Sequence, residues 1–411
     1  MKFEDYHIAP RIKSNLVEAG FRRPTDIQFK AIPHILNGED VLAIAQTGTG
    51  KTAAFAIPVI NNIEGKKNAR RPDGIRCIVM VPTHELALQI ASVFDQVAKG
   101  TAVKTFCIHG GVDQQPQIDM LEKGFDILVA TPGRMFDLVS QGHLKLNRVE
   151  VLVLDEADHM LDLGFINDIR QLVKMLPKGR QTLFFSATID ESIKKLAYSL
   201  VTNPIRIQIS PKDPVARNID HFVTFIKMDD KRFFLERLIN ENPETKILVF
   251  VRTKVRAERV CAAMERIGVV SKTIHGDKEQ EQRAQIMADF RTGKTKVLIA
   301  TDVSARGIDI SEVDYVVNYD LPEQTENYVH RVGRTGRGSR RGRAISFCSE
   351  EEKSLLLEIE NYLGHSVAVL EIDTMTYHDT IAASQDSHAD WKTLMREAEE
   401  EKGNRRKKKK K

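Results

Sequence analysis

One short segment carries the residue types needed to hold a polyphosphate. Ala45-Gln46-Thr47-Gly48-Thr49-Gly50-Lys51-Thr52 lies between the apolar residues 41–44 and 53–57, which predict a buried strand and the start of a helix. Glycines let backbone N–H groups close around phosphate oxygens, and a helix N-terminus adds partial positive charge. Lys51 would then reach the β- and γ-phosphates, and the Thr52 hydroxyl would hold Mg²⁺. The flanking strand and helix favour this interpretation over an ordinary turn, although position 45 is Ala where the general pattern has Gly.

A second chemical segment, Asp155-Glu156-Ala157-Asp158, directly follows the apolar residues 151–154. An acid at the end of a buried strand, downstream of a phosphate loop, is typical of a magnesium-binding element. We therefore expect Asp155 to hold Mg²⁺ and Glu156 to orient and deprotonate an attacking water. The alternative, a solvated acidic helix start, does not account for the phosphate loop upstream.

Two interpretations of Gln28 stay open. Its spacing from Thr25, next to Pro24, is that of a capping box at a helix start. A side-chain amide also matches the hydrogen-bonding edge of adenine. In that case Phe21, together with Phe3, would pack against the base.

Small, polar and basic residues follow three further predicted strands of the first half. Since the carboxyl ends of parallel strands share one edge of a sheet, we expect these residues to contact a sugar–phosphate backbone there. Each group alone fits a simple turn, but three in succession favour nucleic acid. The residues are Pro82 and Thr83, then Gly110 and Gly111, then Thr131, Pro132, Gly133 and Arg134. Ser186 and Thr188 follow the strand predicted at 182–185, where a turn or a cap remains an equal alternative.

The second half repeats the alternation of strands and helices without a phosphate loop. Strands are predicted at 246–251, 269–274, 296–300, 315–318 and 344–347. Six arginines lie within thirteen residues, namely Arg331, Arg334, Arg337, Arg340, Arg341 and Arg343. A guanidinium supplied to a transferring phosphoryl group raises its rate by roughly 10³–10⁵. The cluster therefore predicts an arginine-finger donor, and the alternative is a solvated basic face.

These elements predict an α/β fold of two tandem domains, each a mostly parallel sheet flanked by helices. The length of 411 residues exceeds one ordinary core, and prolines mark a boundary between the halves. We expect domains at 1–208 and 221–365, a linker at 209–220, and a flexible tail at 366–411. Residues 405–411 are all basic, so the tail would bind nucleic acid or act only as a solubilising segment.

Charge and composition limit the kinds of protein that this chain can be. The net charge is +4, but without the seven basic terminal residues it is 4 − 7 = −3, so nucleic-acid binding must use a local groove. No apolar run approaches the ~20 residues of a membrane span, and the N-terminus lacks a signal-peptide core. The four cysteines form no CxxC pair, which argues against metal or disulfide frameworks. We expect a monomer of the reducing cytoplasm with no membrane partner.

With these motifs in place, residues 1–365 resemble the DEAD-box RNA helicases. Asp155 to Asp158 spell the motif that names the family, and residues 20–28, with Phe3 upstream, resemble its Q motif. The family's phosphate loop begins with Ala, which accounts for Ala45. The resemblance implies two RecA-like domains, with ATP and Mg²⁺ in the cleft between them and RNA across the opposite rims.

The resemblance also implies roles for residues that the patterns alone leave unassigned. Asp158, Ser186 and Thr188 would couple hydrolysis to unwinding, and His330 would join the two domains around the acidic motif. Arg334 and Arg337 would meet the γ-phosphate, and Asp309 would lie near the ATP ribose. RNA contacts would come from Arg252, Arg283 and Thr301.

One position departs from the family pattern. The family usually has Arg in the Pro-Thr-Arg-Glu-Leu-Ala element, where this chain has His84. A neutral imidazole lacks a permanent charge, so the RNA contact there is expected to be weaker or pH-dependent. Length and tail look like the bacterial RhlE-type subgroup, and ribosomal or RNA-decay assemblies are possible partners at the family level.

Function is therefore expected to be ATP-dependent, local unwinding of short RNA duplexes or remodelling of RNA–protein complexes. An ATP-gated RNA clamp with little unwinding shares every motif and stays open as the alternative. A DNA-translocating helicase is disfavoured by the Q motif and by the absence of large inserted domains.

Overall fold

The structure is a computed structural model that describes residues 2–46, 48–66, 74–189, 191–209, 215, 218–302, 310, 313–336 and 341–384, with Gln280 described by its main chain only. Its contacts divide the chain into two compact units, the first formed mainly by residues up to 217 and the second mainly by residues from 218. Each unit is described by itself.

The N-terminal unit contains a seven-stranded sheet in which every paired strand is parallel, in the order β3-β4-β2-β5-β6-β1-β7. Its strands are β1 (Val41–Ala45), β2 (Cys77–Met80), β3 (Thr105–Ile108), β4 (Ile127–Ala130), β5 (Val151–Leu154), β6 (Gln181–Ser186) and β7 (Ile205–Ile209). The four central strands β2, β5, β6 and β1 are buried along their whole length, which explains why the sequence shows continuous apolar runs rather than alternation.

Helices cover both faces of this sheet and bury two separate apolar cores against it. One core contains Phe55, Phe94 and Phe185. The Phe55 ring centroid lies 6.0 Å from that of Phe94 and 5.2 Å from that of Phe185. The helices are α1 (Pro10–Glu18), α2 (Asp26–Leu36), α3 (Lys51–Lys66), α4 (His84–Ala98), α5 (Gln115–Leu121), α6 (Pro132–Ser140), α7 (Ala157–Asp162), α8 (Ile166–Met175) and α9 (Glu191–Leu200).

The C-terminal unit repeats the same strand order, β10-β11-β9-β12-β13-β8-β14, again with parallel pairs. Its strands are β8 (Ile219–Phe225), β9 (Ile247–Phe250), β10 (Ser271–Ile274), β11 (Val297–Ala300), β12 (Tyr315–Asn318), β13 (Gly342–Cys348) and β14 (Ala368–Val369). Its helices are α10 (Lys231–Glu241), α11 (Lys254–Arg266), α12 (Gln280–Arg291), α13 (Thr325–Val332), α14 (Lys353–Leu363) and α15 (Thr374–Ala383). The predicted fold class, two tandem α/β units, is thus confirmed.

Two sequence expectations differ from the structure. β7 reaches Ile209 and β8 begins at Ile219, so both strands extend into the range predicted as linker. The flexible tail predicted from residue 366 is wrong as far as residue 384, because β14 pairs with β8 and α15 packs on α10. β14 is only two residues long and exposed, and most of α15 is not buried, so neither element gives a strong sequence signal.

Among the described helices, none is both long and apolar enough to cross a bilayer.

Candidate functional site

The phosphate loop leaves β1 and enters α3 at Lys51. Gly48 and Gly50 have φ values of +80° and +91°, a region that L side chains rarely adopt. A Cβ at Gly50 would also lie 2.5 Å from Nε2 of Gln28. The glycine at position 50 is therefore required both by its backbone conformation and by its close approach to α2. Thr47 lies outside the described residues.

The Lys51 side chain fits a phosphate ligand. Its Nζ is buried and has no hydrogen-bond partner among the described residues. A buried ammonium without a partner is costly, so an anion placed against it would be stabilised. Ala45 and Gln46 precede the turn, and the hydroxyl of Thr49 donates to the Gln46 carbonyl at 2.7 Å, which closes the loop. Thr52 follows Lys51 in the first turn of α3 and is partly exposed.

Asp155 follows β5, which is separated from β1 by one strand, β6. Burial raises the pKa of the Asp155 carboxyl to about 6. The Lys51 ammonium opposes this rise, and the carboxylates of Glu156 and Asp158 add to it. A bound divalent cation would favour the charged carboxylate in the same way as Lys51 does. The donor set of Asp155 and Thr52, both oxygen ligands, suits Mg²⁺.

Glu156 has a backbone conformation that is rare for its residue type. Its φ of +51° and ψ of +49° place it in the left-handed region as the N-cap of α7. Such outliers cost about 1–3 kcal/mol and cluster at functional sites. Its N–H donates to Asp155 Oδ1 at 3.0 Å, and its Oε2 lies 3.5 Å from Nδ1 of the buried His159. The left-handed backbone conformation of Glu156 thus sets the direction in which its side chain leaves the chain.

Asp158 links the acidic motif to the segment after β6. Its Oδ2 accepts from the N–H groups of Ala187 and Thr188, both at 3.1 Å, and from the Thr188 hydroxyl at 3.2 Å. Ser186 ends β6 and is fully buried. The structure therefore brings together Asp158 and Thr188, which lie thirty residues apart in the chain.

Both atoms of the Gln28 amide are engaged within the unit. Oε1 accepts from the Thr25 N–H at 3.0 Å as part of a capping box, and Nε2 donates to the Gly50 carbonyl at 3.1 Å. The capping interpretation is thus present in the structure, and the amide also ties α2 to the phosphate loop. Phe3 packs edge-on against Phe21 and is buried in the core, whereas Phe21 is partly exposed.

The candidate RNA-contact residues of the N-terminal unit meet on one rim, because β3, β4 and β2 are neighbours. Thr83, after Pro82, caps α4 by accepting from the Leu86 N–H at 3.4 Å. Arg134 donates to the Val112 carbonyl at 2.7 Å and so holds the turn that contains Gly110 and Gly111. The remaining rim residues, Thr131, Pro132 and Gly133, lie between β4 and the first turn of α6.

His84 stacks on a second histidine at this rim. The rings of His84 and His109 lie 5.3 Å apart with an interplanar angle of 29°. Sequence analysis missed the residue that fixes His109: the Gln117 amide accepts from the His109 N–H at 3.1 Å and donates to its carbonyl at 3.2 Å. In the sequence, only the polar Gln117 within a helix could have indicated this contact, and one polar residue in a helix is weak evidence.

In the C-terminal unit, the candidate RNA-contact residues follow strands that correspond to those of the N-terminal unit. Arg252 follows β9 and Thr301 follows β11, the counterparts of β2 and β4. Arg252 is held by the buried Glu352 at 3.2 Å and by Glu323 at 3.6 Å. Arg283 lies on α12, after the strand β10 that corresponds to β3.

The arginine cluster divides into residues with different surroundings. Arg331 is only 1% exposed and makes a bidentate ion pair with Asp302, at 2.5 and 2.7 Å. It is therefore a structural arginine rather than an exposed donor. Arg334 follows α13, and its Nε donates to the His330 carbonyl at 3.3 Å. Arg337 and Arg340 lie outside the described residues, as does Asp309.

Residues 25–196 match the DEAD/DEAH box helicase family, and residues 230–339 match the helicase conserved C-terminal domain. The ATP-dependent RNA helicase RhlB of Shewanella frigidimarina is 41% identical over 92% of this chain and 88% of its own length. The chain belongs to the DEAD-box RNA helicase family. A similar DEAD-box fold occurs in Saccharomyces cerevisiae Dbp5 bound to RNA and ADP BeF3, with 31% identity, a TM-score of 0.82, and coverage of 92% of this chain and 97% of that one.

A structure of Mss116p bound to ssRNA and AMP-PNP is also similar to this DEAD-box chain, with 26% identity, a TM-score of 0.82, and coverage of 93% of this chain and 81% of that one. These comparisons confirm the predicted family, the enzyme class and the cofactors ATP and Mg²⁺. The RhlE-type subgroup is not confirmed, since the curated relatives considered above and several others from Shewanella are named RhlB.

Proposed function

We propose that this chain couples the binding and hydrolysis of Mg-ATP to local separation of short RNA duplexes. The observation that carries the proposal is the buried Lys51 ammonium, which has no hydrogen-bond partner among the described residues and lies with Asp155 at the carboxyl edge of the N-terminal sheet. Burial of two opposite charges beside a glycine-rich loop suits a ligand that carries both phosphate and a divalent cation.

Each residue of this edge has a separate task in the proposal. Lys51 binds the β- and γ-phosphates, while Thr52 and Asp155 hold the cation. When bound, Mg²⁺ neutralises charge on the phosphate oxygens. Glu156 orients the attacking water and accepts its proton, helped by a backbone turn that aims the carboxylate. We also propose that Arg334 and Arg337 stabilise charge on the transferred phosphoryl group.

RNA would contact the strand ends after β2, β3 and β4 and, in the C-terminal unit, those after β9, β10 and β11. Backbone N–H groups, hydroxyls and arginines at these ends suit phosphate and sugar contacts, which carry little sequence information. Contacts to 2′-hydroxyls would favour RNA over DNA. What supports this part is the topological equivalence of the two sets of strand ends.

The proposal includes four further assignments. Two domains are joined by a linker that begins near residue 208, a boundary that the unit division supports. The second domain extends to residue 384, which the packing of α15 on α10 supports. A cytoplasmic location is supported by four cysteines that are all free thiols. A monomer suffices because one chain carries both the phosphate loop and the arginines. Ribosomal or RNA-decay assemblies remain proposed partners.

The experiment that tests the function compares ATP hydrolysis without nucleic acid, with single-stranded RNA and with single-stranded DNA of the same sequence. RNA should stimulate hydrolysis in the presence of Mg²⁺, and chelation of the cation should abolish the activity. Equal stimulation by DNA would overturn the RNA assignment, and no stimulation by either would overturn the coupling.

A further inference from the structure

We propose that Asn218 is a positioning residue for the turn that follows Arg334 in the C-terminal unit. This inference rests on the proposed function, in which that arginine acts on the transferred phosphoryl group. Asn218 lies in the segment between the two sheets, outside the motifs that the sequence analysis singled out. Its role would be to hold the arginine-bearing turn in one conformation.

Asn218 contacts the turn from two directions. Its side-chain Nδ2 donates to the Gly336 carbonyl, a residue 118 positions away in the chain. Its own carbonyl accepts from the N–H of Gly342, the first residue of β13, at 2.9 Å. One residue therefore binds the chain before position 337 and again just after position 341.

The main-chain segments around Asn218 are packed too closely for side chains. Gly336 has a φ of +65°, and a Cβ there would lie 2.5 Å from Cγ1 of Ile219 and 3.1 Å from the Asn218 carbonyl oxygen. A Cβ at Gly342 would collide with the Thr335 hydroxyl. Only glycine fits at positions 336 and 342, so the chain can come this close to Asn218 and Thr335 only with glycine at both positions.

The other side of the turn is already fixed. The Thr335 hydroxyl is buried and donates to the Val313 carbonyl at 2.6 Å. On the helix before it, Arg331 is anchored by Asp302. Arg334 thus lies between an anchored helix and Gly336, whose carbonyl accepts from the Asn218 amide. Loss of that donor would free the turn without removing the helix anchor.

A positioning role predicts a specific kinetic pattern. Misplacing a catalytic group by a fraction of an ångström to 1 Å lowers the rate of the chemical step by up to about a hundred-fold. Asn218→Ala should lower kcat for RNA-stimulated ATP hydrolysis by roughly ten-fold and leave KM for ATP within about two-fold. Asn218→Asp keeps the shape but replaces the donor by an oxygen that faces a carbonyl, so it should lose as much.

The matched control is Asn242→Ala, in the same unit. Its Nδ2 also donates to a backbone carbonyl, that of Leu238 at 2.8 Å, but at the end of α10. Asn242→Ala should lower the Tm by an amount similar to Asn218→Ala and leave kcat within about two-fold. An equal loss of kcat in both variants would mean general destabilisation and would overturn the proposal.

Amide hydrogen exchange separates this inference from the proposed function. In Asn218→Ala, exchange should accelerate at residues 334–336 and not across α10, whereas Asn242→Ala should show the reverse. Unchanged exchange at 334–336 would overturn the positioning role whatever the activity. Faster exchange with an unchanged kcat would also overturn it. A wild-type chain without RNA-stimulated hydrolysis would instead overturn the proposed function, and the exchange result would still decide whether Asn218 holds the turn.

Discussion

Lys51 and Asp155 are the single residues on which the proposed nucleotide site depends most. Both are buried at the carboxyl edge of the N-terminal sheet, and burial raises the pKa of the Asp155 carboxyl to about 6. Among the described residues, the Lys51 Nζ has no hydrogen-bond partner. Charged groups held in place in this way favour binding of a charged ligand, because they do not have to reorient when the ligand binds.

Glu156 can be tested by removing only its ability to accept a proton. Glu156→Gln keeps the length and the unusual backbone conformation, so ATP binding should be nearly normal. The loss of the base should lower kcat by roughly 10²–10⁴. Steady-state hydrolysis and equilibrium nucleotide binding measure the two quantities separately.

Glu150→Gln is the matched control, because Glu150 precedes the same strand at its opposite end and pairs with Arg76 and Lys66. Its kcat should stay within about two-fold of the wild type, as expected for a surface pair. Near-normal turnover in Glu156→Gln would disprove the assignment of the base.

Asp155 predicts a pH-dependent change in stability. Its pKa is 3.8 in a model peptide and about 6 in the folded chain, so the folded state binds more protons between these values. The protonated carboxyl is therefore stabilising at about pH 4, and this contribution is lost as the pH rises through 6. Asp155→Asn removes the cost, and without ligand its Tm should exceed that of the wild type at pH 7.5 by roughly 2–4 °C. Thermal unfolding at several pH values should show the difference shrinking toward pH 4, and a pH-independent difference would contradict this account.

Sequence reasoning at this scale predicted a role only where a residue type lies beside a recognisable strand or loop. Lys51 and Asp155 were identified because a buried strand precedes each segment. It could not separate Arg331 from Arg334, since both belong to one basic run, and only the fold brings Asp302 against Arg331. It likewise left Gln28 open, because the contact with Gly50 joins two elements that no local pattern relates.

At the scale of elements, the identical strand order of the two sheets is the main finding. β2, β3 and β4 correspond to β9, β10 and β11, so the candidate RNA contacts of both units follow equivalent strands. In the first sheet the candidate nucleotide residues follow β1 and β5, and the candidate coupling residues Ser186 and Thr188 follow β6, all on the other side of β2. In the first sheet, the candidate RNA contacts and the candidate nucleotide residues therefore lie at different parts of the same edge. This is the edge at which ligands of parallel sheets are expected, beyond the carboxyl ends of the strands.

The repeat also explains why residues 366–384 are ordered. β14 takes the place in the second sheet that β7 takes in the first, next to β8 and β1 respectively. β14 is two exposed residues within the apolar residues 367–370, a run too short to identify a strand by itself. Comparing the two halves as topological copies would have predicted a seventh strand, whereas reading residue 366 onward by composition did not.

α15 should be held to the C-terminal unit chiefly by Tyr377. Its ring lies 4.9 Å from that of Phe234, and its hydroxyl donates to Asp230 at 2.8 Å and accepts from the Lys227 N–H at 3.1 Å. Tyr377→Ala should therefore destabilise the docked helix by about 2 kcal/mol. Limited proteolysis should cut the variant faster after residue 370.

Met375→Ala provides the control on the same helix, since Met375 is 75% exposed. Its effect should stay within about 0.5 kcal/mol. If both variants were cleaved at the wild-type rate, the contacts of Tyr377 would not be what holds α15.

For the whole molecule, charge distribution matters more than net charge. The body carries a balance of −3 and the last seven residues carry +7, so non-specific attraction to RNA should depend on the terminus. Deleting residues 405–411 should weaken RNA binding more at low salt than at high salt, because fewer counterions are released. Equilibrium binding across a salt series measures this slope. A variant with serines at these seven positions controls for chain length, and an unchanged slope in both would show that the terminus makes no contribution.

The central claim is that ATP hydrolysis in this chain separates RNA strands. The direct measurement follows release of a labelled strand from a short RNA duplex with a single-stranded extension, in the presence of Mg²⁺ and with ATP added or omitted. The account predicts strand release that depends on ATP, with RNA-stimulated hydrolysis in the same samples. RNA-stimulated hydrolysis without any strand release would contradict the account and identify the chain as an ATP-gated RNA clamp.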